Sequence, residues 1–128
     1  MIVVDTNVLA YLWLPGARSE AAESLLGHDP AWSAPLLWRS EFRNVASGMV
    51  RRKMLSLADA VTATRGAEEQ MSGREYSVPS DVVLSLAAES GCTAYDAEFV
   101  ALAVELGVPL VTADGGILRA FPRLARPL

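Results

Sequence analysis

The chain has 128 residues, 52% hydrophobic and 20% charged, which is the size and composition of one folded domain and excludes intrinsic disorder. Its longest apolar run, Val8–Leu14, has seven residues, whereas a membrane-spanning helix needs about 20. The net charge of −4 lacks the basic excess typical of nucleic-acid-binding proteins. Cys92 is the only cysteine, so we expect it in the core of a cytoplasmic protein with a single domain over residues 1–128.

The first half of the chain alternates short apolar strands with amphipathic helices. Five elements are predicted: a strand Ile2–Val4, a helix Thr6–Leu14, a helix from Ser19 to about His28, a strand Trp32–Ala34 and a helix from Pro35 to about Lys53. Pro15-Gly16 ends the first helix, and Ser19 is expected to cap the second. Pro35 can begin the long helix because a missing N–H costs little in the first turn.

The second half continues the alternation. Five more elements are predicted: a helix from Ser56 to about Gly73, a helix capped by Ser80 or Asp81 and ending at Gly91, a helix Tyr95–Leu106, a strand Val108–Thr112 and a helical turn Ile117–Phe121. Ser56 with Asp59 resembles a capping box. Apolar strands that alternate with helices indicate an α/β fold with a parallel sheet covered on both faces.

Two acidic residues lie just past the ends of predicted strands. Asp5 directly follows the strand that ends at Val4, and Asp114 is the second residue after the strand that ends at Thr112. Ligands of such sheets bind beyond the carboxyl ends of the strands, so these acids are expected to share a site. Two simpler interpretations stay open. Asp5 can be only a helix cap, and Asp114 can be only a turn residue before Gly115-Gly116.

Helical phase, at about 100° per residue, separates inward acids from surface acids. With Trp38 at the centre of the apolar face, Phe42, Val45 and Met49 lie within about 40° and Glu41 about 60° away. An unpaired inward carboxylate is costly, which makes Glu41 a functional candidate.

The same projection applied to the helix after Tyr95 selects a second acid. With Phe99 at the centre, Asp96 lies about 60° away on the inward side, whereas Glu98 and Glu105 lie together on the other side. Asp96 can alternatively be an acid that complements the helix dipole in the first turn.

Four carboxylates in one pocket repel each other, by roughly 4 kcal/mol for a pair about 4 Å apart at an effective dielectric constant near 20. Such a cluster is stable when it takes up protons or hard cations, and oxygen ligands suit Mg²⁺ or Mn²⁺. Without the four acids the net charge of −4 would be zero, so the overall acidity does not exclude RNA as a substrate.

Four segments together resemble the PIN-domain ribonucleases, especially the VapC-type toxins of bacterial toxin–antitoxin pairs. The matching segments are Ile2-Val3-Val4-Asp5-Thr6-Asn7, Trp38-Arg39-Ser40-Glu41-Phe42-Arg43-Asn44, Thr93-Ala94-Tyr95-Asp96-Ala97 and Val111-Thr112-Ala113-Asp114. The resemblance covers the whole chain. It departs at Gly115-Gly116, where a bulkier polar residue is common, so we expect a more flexible loop there.

The resemblance implies a PIN-like three-layer sandwich with a parallel sheet of four or five strands flanked by helices. It implies Mg²⁺- or Mn²⁺-dependent cleavage of RNA, with Asp5, Glu41, Asp96 and Asp114 as metal ligands. Asn7 and Thr112 are then expected to orient the carboxylates or the attacking water. The resemblance also implies a homodimer and an antitoxin protein that masks the site.

Basic residues offer candidate RNA contacts at two places. Arg51, Arg52 and Lys53 close the long helix, where they either contact phosphates or complement the helix dipole. Arg119 lies in a carboxyl-terminal segment that has arginines and no acid, which either holds RNA or is a solvated edge.

Two rival functions stay open. A magnesium-dependent phosphohydrolase would use Asp5 as its nucleophile, but it needs a second aspartate two residues later, where this chain has Asn7, and nothing places Lys53, the only lysine, beside Asp5. A PIN module that binds RNA or protein without catalysis is the other rival, and the presence of all four acids argues against it.

Overall fold

The computed structural model describes residues 1–128 and has an α/β fold with one five-stranded sheet flanked by seven helices. The strands are Ile2–Val4 (β1), Trp32–Pro35 (β2), Glu75–Tyr76 (β3), Leu110–Thr112 (β4) and Ala125–Pro127 (β5). The helices are Thr6–Trp13 (α1), Ser19–His28 (α2), Leu37–Arg51 (α3), Leu57–Met71 (α4), Ser80–Ser90 (α5), Ala94–Leu106 (α6) and Gly115–Ala120 (α7). This confirms the expected fold class, with five strands in the sheet.

The sheet is parallel throughout, and its spatial order is β3-β2-β1-β4-β5. The first strand of the chain is therefore the central one, between β2 and β4. Its residues Ile2, Val3 and Val4 are all buried, as expected for β-branched side chains in a strand covered on both faces. Because all strands run in one direction, the residues after β1 and β4 meet at the same edge of the sheet.

Large aromatic side chains fill the core around this sheet. Trp32, Trp38, Phe42 and Phe99 are fully buried, and the rings of Trp38 and Phe42 meet edge to face with centroids 5.7 Å apart. Helix α6 packs on β1, β2 and β4. The helices that carry Glu41 and Asp96 are therefore held against the central strands by their apolar faces.

The predicted bounds of the long helix were wrong at both ends. Pro35 is the last residue of β2, and α3 begins at Leu37. Pro35 has no N–H to donate to the ladder, and it lies past Ser33, the last residue of β2 that pairs with β1. The helix ends at Arg51 because Lys53 adopts a left-handed backbone with φ 58°, which does not continue an α-helix.

Two of the predicted helix caps were also wrong. Ser19 is the first residue of α2 rather than its cap, and its hydroxyl donates to the carbonyl of Gly16 at 3.1 Å. Helix α5 follows Pro79, and neither Ser80 nor Asp81 caps it. The cap at Ser56 is confirmed, since its hydroxyl accepts from the N–H of Asp59 at 3.1 Å.

Two short edge strands, β3 and β5, were not predicted. They have two and three residues, too few to show a periodicity. Near the carboxyl end, Val108 and Pro109 precede β4 rather than belonging to it, and α7 begins at Gly115 rather than Ile117. Gly115-Gly116, where a flexible loop was expected, therefore forms the first turn of a short helix.

Burial corrects two further expectations. Val45 is 40% exposed rather than core-facing, and Cys92 is only partly buried. Leu14 is buried, and Trp13 packs against the core while its indole N–H donates to Gln70 at 2.6 Å. None of the seven helices is both long enough and apolar enough to cross a lipid bilayer.

Candidate active site

The structure places all four predicted acids in one pocket of about 440 Å³. Asp5 follows β1, Glu41 lies on α3, Asp96 lies on α6, and Asp114 follows β4. The remaining lining residues are uncharged: Thr6, Asn7, Leu37, Ser40, Asn44, Val45 and Tyr95. The pocket, called the acid pocket below, therefore has four carboxylates and no basic side chain.

Asp5 is the most buried of the four acids, at 8% exposed. One carboxylate oxygen accepts from the N–H of Thr6 at 2.8 Å, and the other accepts from the hydroxyl of Thr112 at 2.6 Å. Burial raises the pKa of Asp5 to about 6, against these two hydrogen bonds, and the nearby charges of Glu41 and Asp96 raise it further. A cation in the pocket would reverse this effect, because it stabilises the ionised form.

Glu41 is held by a neighbour of Asp5. The hydroxyl of Thr6 donates to a carboxylate oxygen of Glu41 at 2.7 Å. The pKa of Glu41 is raised, first by burial and then by the charges of Asp96 and Glu98, while the Thr6 hydrogen bond opposes the rise. Glu41 has no ion-pair partner. The nearby arginine on the same helix, Arg39, forms ion pairs with Glu68 and Glu75 and is not available to Glu41.

Asp114 and Asp96 complete the pocket from the other side. The N–H of Asp114 donates to the hydroxyl of Thr112 at 2.9 Å, and the Asp114 carboxylate accepts from the N–H of Ile117 at 3.0 Å. Burial, followed by the charge of Asp114, raises the pKa of Asp96. A Cβ at Gly116 would lie 3.0 Å from the Asp114 carboxylate, so this glycine gives the carboxylate room.

Two threonines connect three of the four acids. Thr112 joins Asp5 to the backbone of Asp114, and Thr6 joins Asp5 to Glu41. The resemblance pointed to Thr112 and to Asn7, whose amide lies 3.5 Å from Asp5. Sequence reasoning assigned no role to Thr6, although Thr6 lies between Asp5 and Asn7 in the first segment that carries the resemblance.

Glu98 was expected to be an ordinary surface acid, and the structure corrects this. Its side chain is partly buried and lines a separate pocket with Val78 and Val83. Burial raises its pKa, and its charge contributes to the raised pKa of Glu41. It does not line the acid pocket.

The predicted basic contacts separate into two groups. Arg51 lines a groove between α3 and α4, Lys53 lines another pocket beyond the end of α3, and Arg52 is exposed. None of these three lines the acid pocket. Arg119 lines a neighbouring pocket of about 510 Å³ that shares Asp96 with the acid pocket.

The chemistry of the acid pocket fits a hard divalent cation. Its charged groups are all carboxylates, and the buried side-chain oxygen of Asn7 has no hydrogen-bond partner. No three of the acidic side chains converge closely enough to form a ready-made metal cluster. Mg²⁺ is commonly bound through only one or two carboxylates and keeps several waters, so wide spacing of the acids is compatible with it.

The sequence as a whole matches the PIN domain family over residues 2–125. The chain therefore belongs to the PIN-domain family. Among named relatives, it is similar to Ribonuclease VapC3 of Pyrobaculum aerophilum, with 30% identity over 98% of both chains.

Solved structures support the same fold. A crystal structure of PAE2754 from Pyrobaculum aerophilum has a TM-score of 0.79 and 24% identity over 98% of this chain and 89% of that one. FitAcB from Neisseria gonorrhoeae has a TM-score of 0.71 and 19% identity over 98% and 96%. A toxin–antitoxin complex from Klebsiella pneumoniae has a TM-score of 0.71 and 18% identity over the same shares.

Proposed function

We propose that this chain is a metal-dependent endoribonuclease that hydrolyses RNA phosphodiester bonds at the acid pocket, with Mg²⁺ or Mn²⁺ as its cofactor. The observation that carries the proposal is the meeting of Asp5, Glu41, Asp96 and Asp114, from four separate segments, in a pocket without a basic residue. The family membership and the similarity to a named ribonuclease support the same activity.

Asp5, Glu41, Asp96 and Asp114 are the residues that would hold the cation, one or two of them directly and the others through its water ligands. When bound, a divalent cation supplies an activated water and neutralises charge on the phosphate. The chain's own residues keep the carboxylates in place. Thr112 and Thr6 fix Asp5 and Glu41 through hydrogen bonds of 2.6 and 2.7 Å, so these side chains are oriented before the substrate arrives.

Hydrolysis then adds a water oxygen to phosphorus and breaks the bond to the bridging oxygen of the RNA strand. Asn7 has an unpartnered amide oxygen in the pocket, which can accept a hydrogen bond from a water there. Its amide nitrogen lies 3.5 Å from Asp5. We therefore assign Asn7 to orienting the water and Thr112 to orienting Asp5.

A cleavage assay on labelled RNA, with Mg²⁺ or Mn²⁺ and with EDTA, tests the activity. Cleavage is expected only with metal and is expected to be lost in Asp5→Asn. Glu105→Gln is the matched control, because Glu105 is an exposed acid on α6 and its loss should leave the rate unchanged. Equal cleavage by wild type and Asp5→Asn would refute the site.

The structure gives no support to the two rival functions. In the phosphohydrolase interpretation Asp5 would be a nucleophile aided by a lysine, but Lys53 lies beyond the end of α3 and outside the acid pocket. Trapping of an aspartyl-phosphate would favour that rival. A catalytically idle module would bind RNA or protein but show no metal-dependent cleavage in the assay above.

We further propose that the chain is the toxin of a toxin–antitoxin pair, forms a homodimer and is masked by its antitoxin. The structural neighbour described as a toxin–antitoxin complex supports the assignment as a toxin with an antitoxin partner. Co-expression with the product of the adjacent reading frame should suppress cleavage. Light scattering on the isolated chain should give twice the mass of 13.7 kDa.

A further inference from the structure

The pocket beside the acid pocket contains a guanidinium group with no partner in the protein. Arg119 makes no ion pair within 4.0 Å and donates no hydrogen bond. Four arginines, Arg18, Arg39, Arg51 and Arg74, donate to protein oxygens. The other arginines also have no partner, but Arg119 alone among them lines this pocket. All the donors of Arg119 are therefore available to a ligand.

Arg119 and one of the four carboxylates, Asp96, line the same pocket. This pocket lies between the loop before α6, which carries Thr93, and the helix α7, which carries Arg119. Asp96 lines this pocket and the acid pocket alike, so a strand that crosses the acids can continue into it. Arg119 is the only basic residue that lines either of the two pockets.

The absence of a side chain at Gly115 leaves room for the guanidinium of Arg119 in this pocket. A Cβ at Gly115 would lie 2.9 Å from a terminal nitrogen of Arg119, which means that the arginine side chain folds across the glycine. Gly115 and Arg119 are four residues apart on α7, so they share one face of the helix. The glycine thus leaves the space that the guanidinium occupies.

A second group in the pocket can act with Arg119. The hydroxyl of Thr93 accepts from the N–H of Asp96 at 3.1 Å, and its proton has no acceptor in the protein. A guanidinium and a free hydroxyl are both donors to phosphate oxygens. The neighbouring carboxylate of Asp96 would repel an anion unless a cation occupies the acid pocket.

We propose that Arg119, with Thr93, binds the RNA phosphate next to the one that is cleaved, on the Asp96 side of the acid pocket. This inference rests on the proposed function. The contact is with the backbone and independent of sequence, so it sets affinity and register rather than base preference. The phosphate subsite, defined as Thr93 and Arg119, is then a place for binding without catalysis.

Binding of a fluorescent single-stranded phosphorothioate RNA oligonucleotide of mixed sequence tests the subsite. The assay contains Mg²⁺, so that a cation offsets the charge of Asp96, and the phosphorothioate linkages slow cleavage. Arg119→Gln should weaken binding about three- to tenfold at low salt and reduce the slope of log K against log salt by roughly 0.7. Arg123→Gln is the matched control, because Arg123 is exposed, precedes β5 and so lies toward the opposite edge of the sheet. It removes the same charge but should keep the wild-type slope.

Gly115→Ala gives an independent test without removing a charge. The new methyl group should displace the guanidinium and weaken RNA binding, while thermal stability stays level or rises, because alanine favours a helix over glycine. In the Arg119→Gln background, Gly115→Ala should have no further effect on binding. In Mg²⁺, Arg119→Gln should raise KM and leave kcat within about twofold.

Three results would overturn the subsite. They are unchanged binding and salt slope in Arg119→Gln, an equal loss in Arg123→Gln, or a further loss when Gly115→Ala is added to Arg119→Gln. If wild type cleaves RNA while any of these holds, only the subsite fails. If wild type neither binds nor cleaves RNA, the proposed ribonuclease function fails first.

Discussion

Replacing Asp5 by asparagine should stabilise the metal-free protein while it abolishes cleavage. The carboxylate is 8% exposed, and its pKa is raised from 3.8 to about 6. In the folded protein the ionised form is therefore disfavoured relative to the unfolded chain. This loss of folding stability, caused by the ionised Asp5, is fully present above pH 6. It decreases as the pH falls toward 3.8 and is absent below that pH.

The size of the effect follows from the shift. A rise from 3.8 to about 6 corresponds to about 3 kcal/mol at neutral pH, at 1.36 kcal/mol per pKa unit. Asparagine keeps an oxygen for the N–H of Thr6, but its NH₂ group faces the hydroxyl of Thr112, which must turn its proton elsewhere. The less favourable contact with Thr112 removes part of the gain in stability. We therefore expect the free energy of unfolding to rise by about 1–2 kcal/mol, which corresponds to roughly 3–10 °C in Tm.

Thermal unfolding in EDTA, followed by circular dichroism at pH 7.5 and pH 4.5, measures this gain. Asp5→Asn should melt above wild type at pH 7.5, and the difference should shrink at pH 4.5, where wild-type Asp5 is protonated. Glu105→Gln removes an exposed charge on α6 and should shift Tm little at either pH. A lower Tm for Asp5→Asn at pH 7.5, or a gain of equal size at both pH values, would refute the reasoning.

Three further perturbations test other parts of the site and the fold. Thr6→Val removes the 2.7 Å hydrogen bond to Glu41 and should lower kcat about tenfold or more, whereas Thr6→Ser keeps the hydroxyl and should retain most of the activity; equal rates in both variants would argue against the bond. Mg²⁺ should raise the Tm of wild type at pH 7.5 and EDTA should reverse this, with a smaller rise in Asp5→Asn. Gly66→Ala would place a Cβ 2.4 Å from the ring of Trp13 and should cost about 1–3 kcal/mol in the free energy of unfolding. Gly27→Ala, which meets no atom within 4 Å on an exposed helix position, should be neutral or stabilising, so an equal loss in both variants would contradict the packing argument.

The sequence was most informative where periodicity carries the signal. Helix α3 buries Trp38, Phe42 and Met49 on one face, so the phase of Glu41 could be calculated from the apolar residues alone. The same arithmetic placed Asp96 correctly on α6. It treated Glu98 as a surface acid because a helical wheel contains no information about α5, which packs against that side of α6.

The remaining errors have local causes. Strand β3 has two partly buried residues, so no alternation of polar and apolar residues marks it. Pro35 is compatible with a strand end or a first helical turn, and pairing with Tyr76 across the sheet decides between them. The contact of Thr6 with Glu41 spans 35 residues, and no local pattern in the sequence encodes it.

The hydrogen bond from Thr112 to Asp5 joins residues 107 positions apart, which has a consequence for biosynthesis. The central strand β1 is synthesised before the other four strands, but it pairs with β4, in which Leu110 lies opposite Val3. Contacts of such long range form slowly because closing a long loop costs entropy before the contact stabilises the fold. A ribosome-bound chain that ends before residue 112 carries Asp5 and Glu41 but cannot close the pocket around them. All four carboxylates of the acid pocket can therefore come together only after residue 114 has left the ribosome.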